Sequence, residues 1–127
     1  MTFIEAIARM EGFGRLTMVD PNLPTRHNNP GDICAGQWAN AHGAIPGAPD
    51  PRYPSEVPSR YAVFPSVADG WAALRALLLA HYSGLTVAAA IGKYAPATEN
   101  NTHEYIMNVC KWTGLTPETV LTAENIG

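Results

Sequence analysis

Apolar residues recur at helical spacing near the start of the chain. Ile4, Ile7 and Ala8 fall on one face of a helix. A Thr-x-x-Glu capping box that begins at Thr2 precedes them, and two glycines follow closely after them. The pattern therefore predicts a first helix over residues 2–11.

A second group of helical patterns lies in the C-terminal half. From Trp71 to Tyr82 the chain is apolar on most sides, which predicts a central buried helix. Further apolar patterns predict three shorter helices, and the last of them has Pro117 at its first position, where proline is favoured. The predicted starts of these four helices are Ser66, Thr86, Asn101 or Thr102, and Thr116.

Residues 14–65, between these two groups of helical patterns, show no sustained periodicity of apolar residues. Their many prolines exclude a long helix. The residue types allow short strands at 32–35 and 61–64, so we expect a small β-hairpin or paired loops that form one wall of a cleft. An irregular segment of this length in a small domain is more often functional than idle.

Together these patterns predict a mainly α protein with a single domain of about five helices. Its parts are the helix over 2–11, a loop or small β-hairpin lobe rich in proline and glycine over 14–65, and a helical core over 66–121. The length of 127 residues suits one domain, and a hydrophobic fraction of 46% is enough for a core.

The charge and the apolar runs exclude some classes of function. The net charge is −3, whereas binding to nucleic acid requires a basic surface, so we expect no nucleic-acid partner. The longest apolar run, residues 71–80, contains Arg75 and is too short to span a bilayer, so we expect no membrane insertion. The start of the chain lacks the basic and apolar regions of a signal peptide.

The histidines and cysteines indicate no metal site. The four histidines are scattered without the spacing of metal ligands, and we expect neither a metal nor another cofactor. Cys34 and Cys110 form either one disulfide or two free thiols, and the sequence leaves both alternatives open.

Glu11 is the acid whose surroundings the pattern defines best. It lies four residues after Ile7 and seven after Ile4, so a helix places it on the apolar stripe. It also ends the helix, where the macrodipole disfavours negative charge. Burial and the dipole both raise the pKa of a carboxyl group, which suits a general acid near neutral pH. On the pattern alone, a solvated glutamate in a frayed last turn is the commoner case.

Glu99 is the second candidate acid. It precedes a predicted helix start, where the dipole favours the ionised form of a carboxyl group. Two glutamates whose pKa values are shifted in opposite directions are typical of a site with separate acid and base residues. The plainer alternative is that Glu99 and Asn100 only organise the turn.

The segment RHNNPGD, residues 26–32, combines a turn signal with two adjacent side-chain amides. Each amide has donors and an acceptor that need partners. Asn28 and Asn29 therefore bind either the protein's own backbone or a polar ligand. Asp32 either stabilises its own loop or faces a ligand.

Four segments carry recognisable motifs in order: IARMEGFG (7–14), TRHNNPGDI (25–33), YAVFPSVADGWAALRALLLAHY (61–82) and TVAAAIGKYAPATENNTHEYIMNVCKWTGL (86–115). With their N-N-P-G-(N/D) and (W/Y)-A-P-x-x-E-N-x-T motifs, they resemble a lysozyme-like muralytic family of bacteria and bacteriophages. The resemblance covers most of the chain.

The resemblance implies the fold of goose-type lysozymes and lytic transglycosylases, in which a glutamate ending an early helix protonates the glycosidic oxygen of peptidoglycan. On that resemblance Glu11 is the general acid, while Asn28 and Asn29 line the substrate groove. The second carboxylate is Glu99 or Asp32. The residues that the resemblance assigns to the opposite wall are Glu99, Asn100, Thr102 and Tyr105. Tyr94 stands where the family usually has tryptophan, and on the resemblance it stacks against the substrate.

The sequence thus predicts a muramidase that cleaves the β-1,4 bond between N-acetylmuramic acid and N-acetylglucosamine. We expect a monomer that acts on peptidoglycan glycan strands at the bacterial cell wall, released from the cytoplasm as phage proteins are or secreted by another route. The alternatives are a lytic transglycosylase, in which the muramyl 6-hydroxyl attacks internally, and a non-catalytic phage structural or wall-binding protein.

Overall fold

The computed structural model describes residues 1–14, 21–55, 58–98 and 100–127. Within these ranges the chain is mainly helical, as predicted, and it contains isolated β-bridges but no extended strand. The helices are α1 (Phe3–Met10), α2 (Leu23–Arg26), α3 (Gln37–Ala41), α4 (Val67–His81), α5 (Val87–Tyr94), α6 (Thr102–Thr113) and α7 (Ala123–Ile126).

The chain divides into two compact units. One, which we call the terminal unit, consists of Met1–Met10 and Leu77–Gly127, and the other, the loop unit, consists of Glu11–Ala76. The predicted single domain stays a prediction.

In the terminal unit, α1 packs against α6 and α7, and α5 packs against α6. The predicted starts of α5 and α6 are confirmed: the side chain of Thr86 accepts a hydrogen bond from Ala89 N, and that of Asn101 accepts one from Glu104 N. Gly114 ends α6 with a φ of 77°, a left-handed conformation that glycine adopts without strain. The buried core of this unit includes Phe3, Ile7, Val87, Ile91, Val109, Leu121 and Ile126.

The predicted helix at Thr116-Pro117 is wrong. The carbonyl oxygens of Pro117 and Thr119 accept hydrogen bonds from Ala88 N and Val87 N, the first amides of α5. The first amides of a helix have no acceptor within that helix, and these two carbonyls accept their hydrogen bonds. Residues 117–119 therefore serve α5 and do not form a helix. The last helix is α7, which begins later, after Thr122.

In the loop unit, the segments predicted as short strands run as paired loops. Ala35 N donates to Arg60 O and Ala62 N donates to Ile33 O, both at 2.8 Å, yet the pairing amounts to a single antiparallel bridge. Asp32, which has a φ of 51°, interrupts the extended backbone at the start of the first segment. Sequence analysis did not predict α2 and α3, because helices of four and five residues are too short to show a period.

The longest helix described, α4, has 15 residues and is less buried than predicted. It buries one face, formed by Gly70, Ala73, Leu74 and Leu78, while Val67 is 44% exposed. Several positions on its other faces are alanines, and exposing their small apolar surface to water costs little free energy. No helix in the described ranges has the length and apolar character to cross a membrane.

Both cysteines are free thiols, which settles the alternative that the sequence left open. Cys34 is exposed and Cys110 is half-buried. Burial, with a smaller contribution from the charge of Glu118, raises the pKa of the Cys110 thiol.

The NNPG loop contacts α4 so closely that only glycine fits at residue 70. A Cβ atom on Gly70 would lie 1.8 Å from the carbonyl oxygen of Asn28 and 2.9 Å from Cδ of Pro30. Both obstacles are parts of a tight turn that cannot rotate away as the end of a flexible side chain does. The glycine is therefore required by the approach of the loop to the helix.

We predict that Gly70→Ala lowers the free energy of unfolding by about 1 to 3 kcal/mol or more, as overpacking does. The matched control is Gly92→Ala, a glycine in α5 whose added Cβ meets no atom within 4 Å. That change should raise stability by about 0.5 to 1 kcal/mol through helix propensity. Urea unfolding of both variants measures this, and a Gly70→Ala protein as stable as wild type would contradict the close contact.

Candidate functional site

Glu11 lies directly after the last residue of α1 and begins a turn over residues 11–14. The helix thus ends one residue earlier than predicted. The Glu11 side chain is half-buried. Gly12 next to it has a φ of 86°, which a residue with a side chain adopts only with strain, so the chain can turn sharply there.

Two polar side chains outside the predicted set stabilise this turn. Asn22 Nδ2 donates to Gly12 O at 2.7 Å, and Gly14 N donates to Thr25 Oγ1 at 2.9 Å. The Thr25 hydroxyl in turn donates to Asn22 Oδ1, which also caps α2. An N-cap before proline was the only sequence signal for Asn22, and its second role arises from a contact ten residues away.

Ring packing fixes the same turn from another direction. The rings of Phe13 and Trp71 meet edge to face, with centroids 5.6 Å apart and planes at 79°. This is a favoured geometry for two aromatic rings. The turn that begins with Glu11 is therefore stabilised both by hydrogen bonds and by an aromatic contact with α4.

The amide of Asn29 binds the protein's own backbone. The side chain is completely buried, and its Nδ2 donates to Ile33 O and Ala62 O, each at 3.0 Å. Its Oδ1 accepts from Ile33 N at 2.9 Å. Asn29 therefore orders the loop and joins it to residue 62, and its buried amide is shielded from any ligand.

Asn28 differs from its neighbour. It is half-buried, has a φ of 54°, and donates from Nδ2 to Phe64 O at 3.0 Å. Asparagine tolerates this left-handed conformation better than most residues. No hydrogen bond from a described residue reaches its Oδ1, so Asn28 is the one of the two amides that retains an acceptor for a ligand.

Asp32 is a half-buried acid on a strained turn. Its φ is 51°, and Oδ1 is buried without a hydrogen-bond donor among the described residues. Burial raises the pKa of its carboxyl group, while the charges of His27 and Arg60 oppose that rise. An acid with this combination of burial and charged neighbours is a candidate for a functional role.

A partly buried ionic group adjoins this loop, and the sequence pattern did not indicate it. Arg26 binds Asp50 through two contacts, Nε to Oδ1 at 2.8 Å and Nη2 to Oδ2 at 2.6 Å. His27, which is fully buried, places Nε2 3.1 Å from Asp50 Oδ2, close enough for an ion pair but outside the angular range of a well-directed hydrogen bond. The hydrogen bonds from Arg26 hold the pKa of Asp50 well below its usual range.

The predicted residues of the opposite wall belong to the terminal unit. Tyr105 is buried and is part of its core. Thr102 donates from Oγ1 to Ala95 O at 2.6 Å, which closes the loop between α5 and α6. The half-buried ring of Tyr94 lies 5.6 Å from that of Tyr82. Asn100 is exposed, and Glu99 lies outside the described residues.

The predicted site residues thus fall into two sets. Glu11, Asn28, Asn29 and Asp32 all belong to the loop unit. The other four described residues, Tyr94, Asn100, Thr102 and Tyr105, belong to the terminal unit. In the described ranges, no group of three or more His, Cys, Asp or Glu side chains is placed to bind a metal ion.

Neither the protein-family models nor the curated proteins nor the solved structures with which the chain was compared gave a match.

We predict that the two adjacent amides differ in their effect on stability. Asn29→Ala leaves buried backbone groups of Ile33 and Ala62 without partners, and it should lower the free energy of unfolding by at least about 2 kcal/mol. Asn28→Ala loses one hydrogen bond and a residue tolerant of positive φ, and it should cost about 1 kcal/mol. Urea unfolding at neutral pH compares them. An Asn29→Ala protein as stable as Asn28→Ala would contradict the structural role of Asn29.

Proposed function

We propose that this protein is a muramidase that cleaves the β-1,4 bond between N-acetylmuramic acid and N-acetylglucosamine in peptidoglycan, with Glu11 as general acid. The observation that carries the proposal is the half-buried Glu11 at the start of a turn stabilised by Asn22 and Thr25. A general acid must stay in one position relative to the leaving oxygen, and these contacts restrict the backbone that bears it. The lysozyme-like family and fold are part of the proposal, and the order of motifs in the sequence supports them.

The chemistry asked of Glu11 is the transfer of one proton. As the bond between the anomeric carbon and the glycosidic oxygen breaks, the carboxyl group protonates that oxygen and the sugar acquires oxocarbenium character. The protonated form of Glu11 must be present before the reaction.

Asp32 is the second carboxylate of the proposed mechanism. It lies in the same unit as Glu11, and its buried Oδ1 has no donor among the described side chains and amides. A carboxylate oxygen without hydrogen-bond donors is a better base, because nothing stabilises its charge. Burial raises the pKa of the Asp32 carboxyl group, and the charges of His27 and Arg60 limit that rise and so favour the ionised form that this role requires.

Asn28 is the proposed contact for the sugar. Its Oδ1 is an acceptor, and a sugar hydroxyl or the N–H of an acetamido group is the donor it would take. Asn29 contributes by ordering the loop that presents Asn28 and Asp32. In this scheme the two amides have separate tasks, one toward the substrate and one toward the backbone.

We expect Glu11→Gln to lower the rate of cell-wall lysis by at least about a hundredfold, because the amide cannot donate the acid's proton. The fold should survive, since glutamine keeps the size of the side chain. The matched control is Glu5→Gln, an exposed glutamate on α1, which should lyse walls at close to the wild-type rate. A turbidity assay on purified walls measures both variants alongside their melting temperatures.

Retention of more than about a tenth of the activity in Glu11→Gln would remove the acid role, given the usual size of the effect. Wild-type protein that binds walls without releasing fragments would favour the non-catalytic alternative.

Asp32→Asn and Glu99→Gln separate the two candidates for the second carboxylate. We expect Asp32→Asn to lower the lysis rate by at least about a hundredfold and Glu99→Gln to change it little. Rates and melting temperatures are measured on the same preparations, and the wild-type products are analysed by mass spectrometry. The opposite ranking would transfer the role to Glu99, while anhydromuramyl ends would indicate a lytic transglycosylase that needs no activated water.

A further inference from the structure

Arg60 is an exposed arginine whose positive charge is not used in an ion pair. No carboxylate of a described residue lies within ion-pair distance of its guanidinium group. Arg26, in the same unit, differs because both oxygens of Asp50 accept its hydrogen bonds. Among the described residues, Arg60 therefore retains a charge that an anionic ligand can neutralise.

The side chain of Arg60 is restricted in position by a neighbouring ring. Its guanidinium carbon lies 5.6 Å from the centroid of the Tyr61 ring, within the range of a cation–π contact. The Tyr61 ring is half-buried, so the protein supports it from one side. A cation–π contact consumes no hydrogen-bond donor, and the N–H groups of Arg60 therefore stay available to a carboxylate.

The backbone fixes Arg60 on the same segment that binds the NNPG loop. Arg60 O accepts a hydrogen bond from Ala35 N at 2.8 Å. Four residues farther along this segment, Phe64 O accepts a hydrogen bond from Nδ2 of Asn28 at 3.0 Å. Four residues of chain span at most about 14 Å. A glycan strand bound through Oδ1 of Asn28 is therefore long enough to reach the side chain of Arg60.

The two sugars of peptidoglycan differ in charge. N-acetylmuramic acid carries a lactyl group, which ends either in its own carboxylate or in a stem peptide that bears carboxylates, whereas N-acetylglucosamine carries neither. The planar guanidinium group of arginine matches a carboxylate through two parallel hydrogen bonds. The whole chain has a net charge of −3, so its overall charge does not attract an anionic strand. Recognition of the muramyl carboxylate therefore requires a local cation.

We propose that Arg60 is a specificity-determining residue that binds a carboxylate on the muramyl side chain of the substrate, carried by the lactyl group or by the stem peptide. This inference rests on the proposed function, because it adds a contact to the same site. Arg60 thereby favours peptidoglycan over chitin, a neutral polymer of N-acetylglucosamine with the same β-1,4 bond.

The rates of Arg60→Gln on three substrates test the contact: intact cell walls, glycan strands freed of their peptides, and chitooligosaccharides. On a substrate that presents the carboxylate, kcat/KM should fall by about tenfold or more, as expected for the loss of a hydrogen bond to a charged group. The loss should appear mainly in KM, because the contact is remote from the bond that breaks. Cleavage of chitooligosaccharides should change little. A loss confined to intact walls assigns the carboxylate to the stem peptide, and a loss confined to peptide-free strands assigns it to the lactyl group.

The matched control is Arg52→Gln. Arg52 is also exposed, and its guanidinium carbon lies 5.5 Å from the ring centroid of the next residue, Tyr53, so this variant loses the same charge and the same type of contact. Its kcat/KM should stay close to that of the wild type on all three substrates. Arg60→Lys keeps the charge without the planar pair of donors and should recover part of the loss. Equal losses in Arg60→Gln and Arg52→Gln, or no loss in Arg60→Gln on either carboxylate-bearing substrate, would overturn the proposal.

Nuclear magnetic resonance of the full-length wild-type protein tests the contact without catalysis. The Nε–H signals of Arg60 and Arg52 are followed as N-acetylmuramic acid, N-acetylmuramyl dipeptide or N-acetylglucosamine is added. The Arg60 signal should shift with a muramyl compound and not with N-acetylglucosamine, while the Arg52 signal should stay unchanged. An Arg60 signal that responds to neither muramyl compound would overturn the inference. A wild type that lyses no walls would refute the proposed function, and the titration would still decide whether Arg60 binds the muramyl carboxylate.

Discussion

The loop unit depends on one buried amide. Asn29 places both of its polar atoms among backbone groups of Ile33 and Ala62, and it thereby connects the turn after α2 with the second of the paired loops. A side chain can replace a β-ladder in this way only if it is buried, because water would otherwise compete for the same donors and acceptors. The loops that bear Asn28, Asp32 and His27 are ordered by this contact in place of an extended strand pairing.

A few side-chain contacts likewise order the turn that bears Glu11. Asn22 and Thr25 each serve α2 and the 11–14 turn at once, so a four-residue helix is enough to fix the position of a half-buried acid. Loops of this kind tolerate catalytic groups well, since their geometry comes from specific side-chain contacts rather than from a regular backbone. Because their geometry depends on a few contacts, such loops are also sensitive to single substitutions.

The acids of the loop unit differ in their surroundings. Both carboxylate oxygens of Asp50 accept hydrogen bonds from Arg26, so Asp50 keeps its charge and its role is structural. Asp32 is partly buried and lacks a donor at one oxygen among the described residues, and burial raises the pKa of its carboxyl group. His27 is completely buried and lies 3.1 Å from Asp50.

The sequence by itself determined the longer helices and their ends, because capping residues, glycines and apolar periodicity act over a few neighbouring positions. Thr86 and Asn101 both cap helices as their local patterns predict. It also identified Glu11, the NNPG amides and Asp32 as candidates. Only the tertiary structure decided that Asn29 is a buried backbone partner, that Pro117 and Thr119 serve α5 instead of beginning a helix, and that Arg26, His27 and Asp50 form one ionic group. Apart from the bonds between Asn29 and Ile33, these outcomes depend on contacts between residues more than twenty positions apart. No local pattern encodes which distant donor will meet which acceptor.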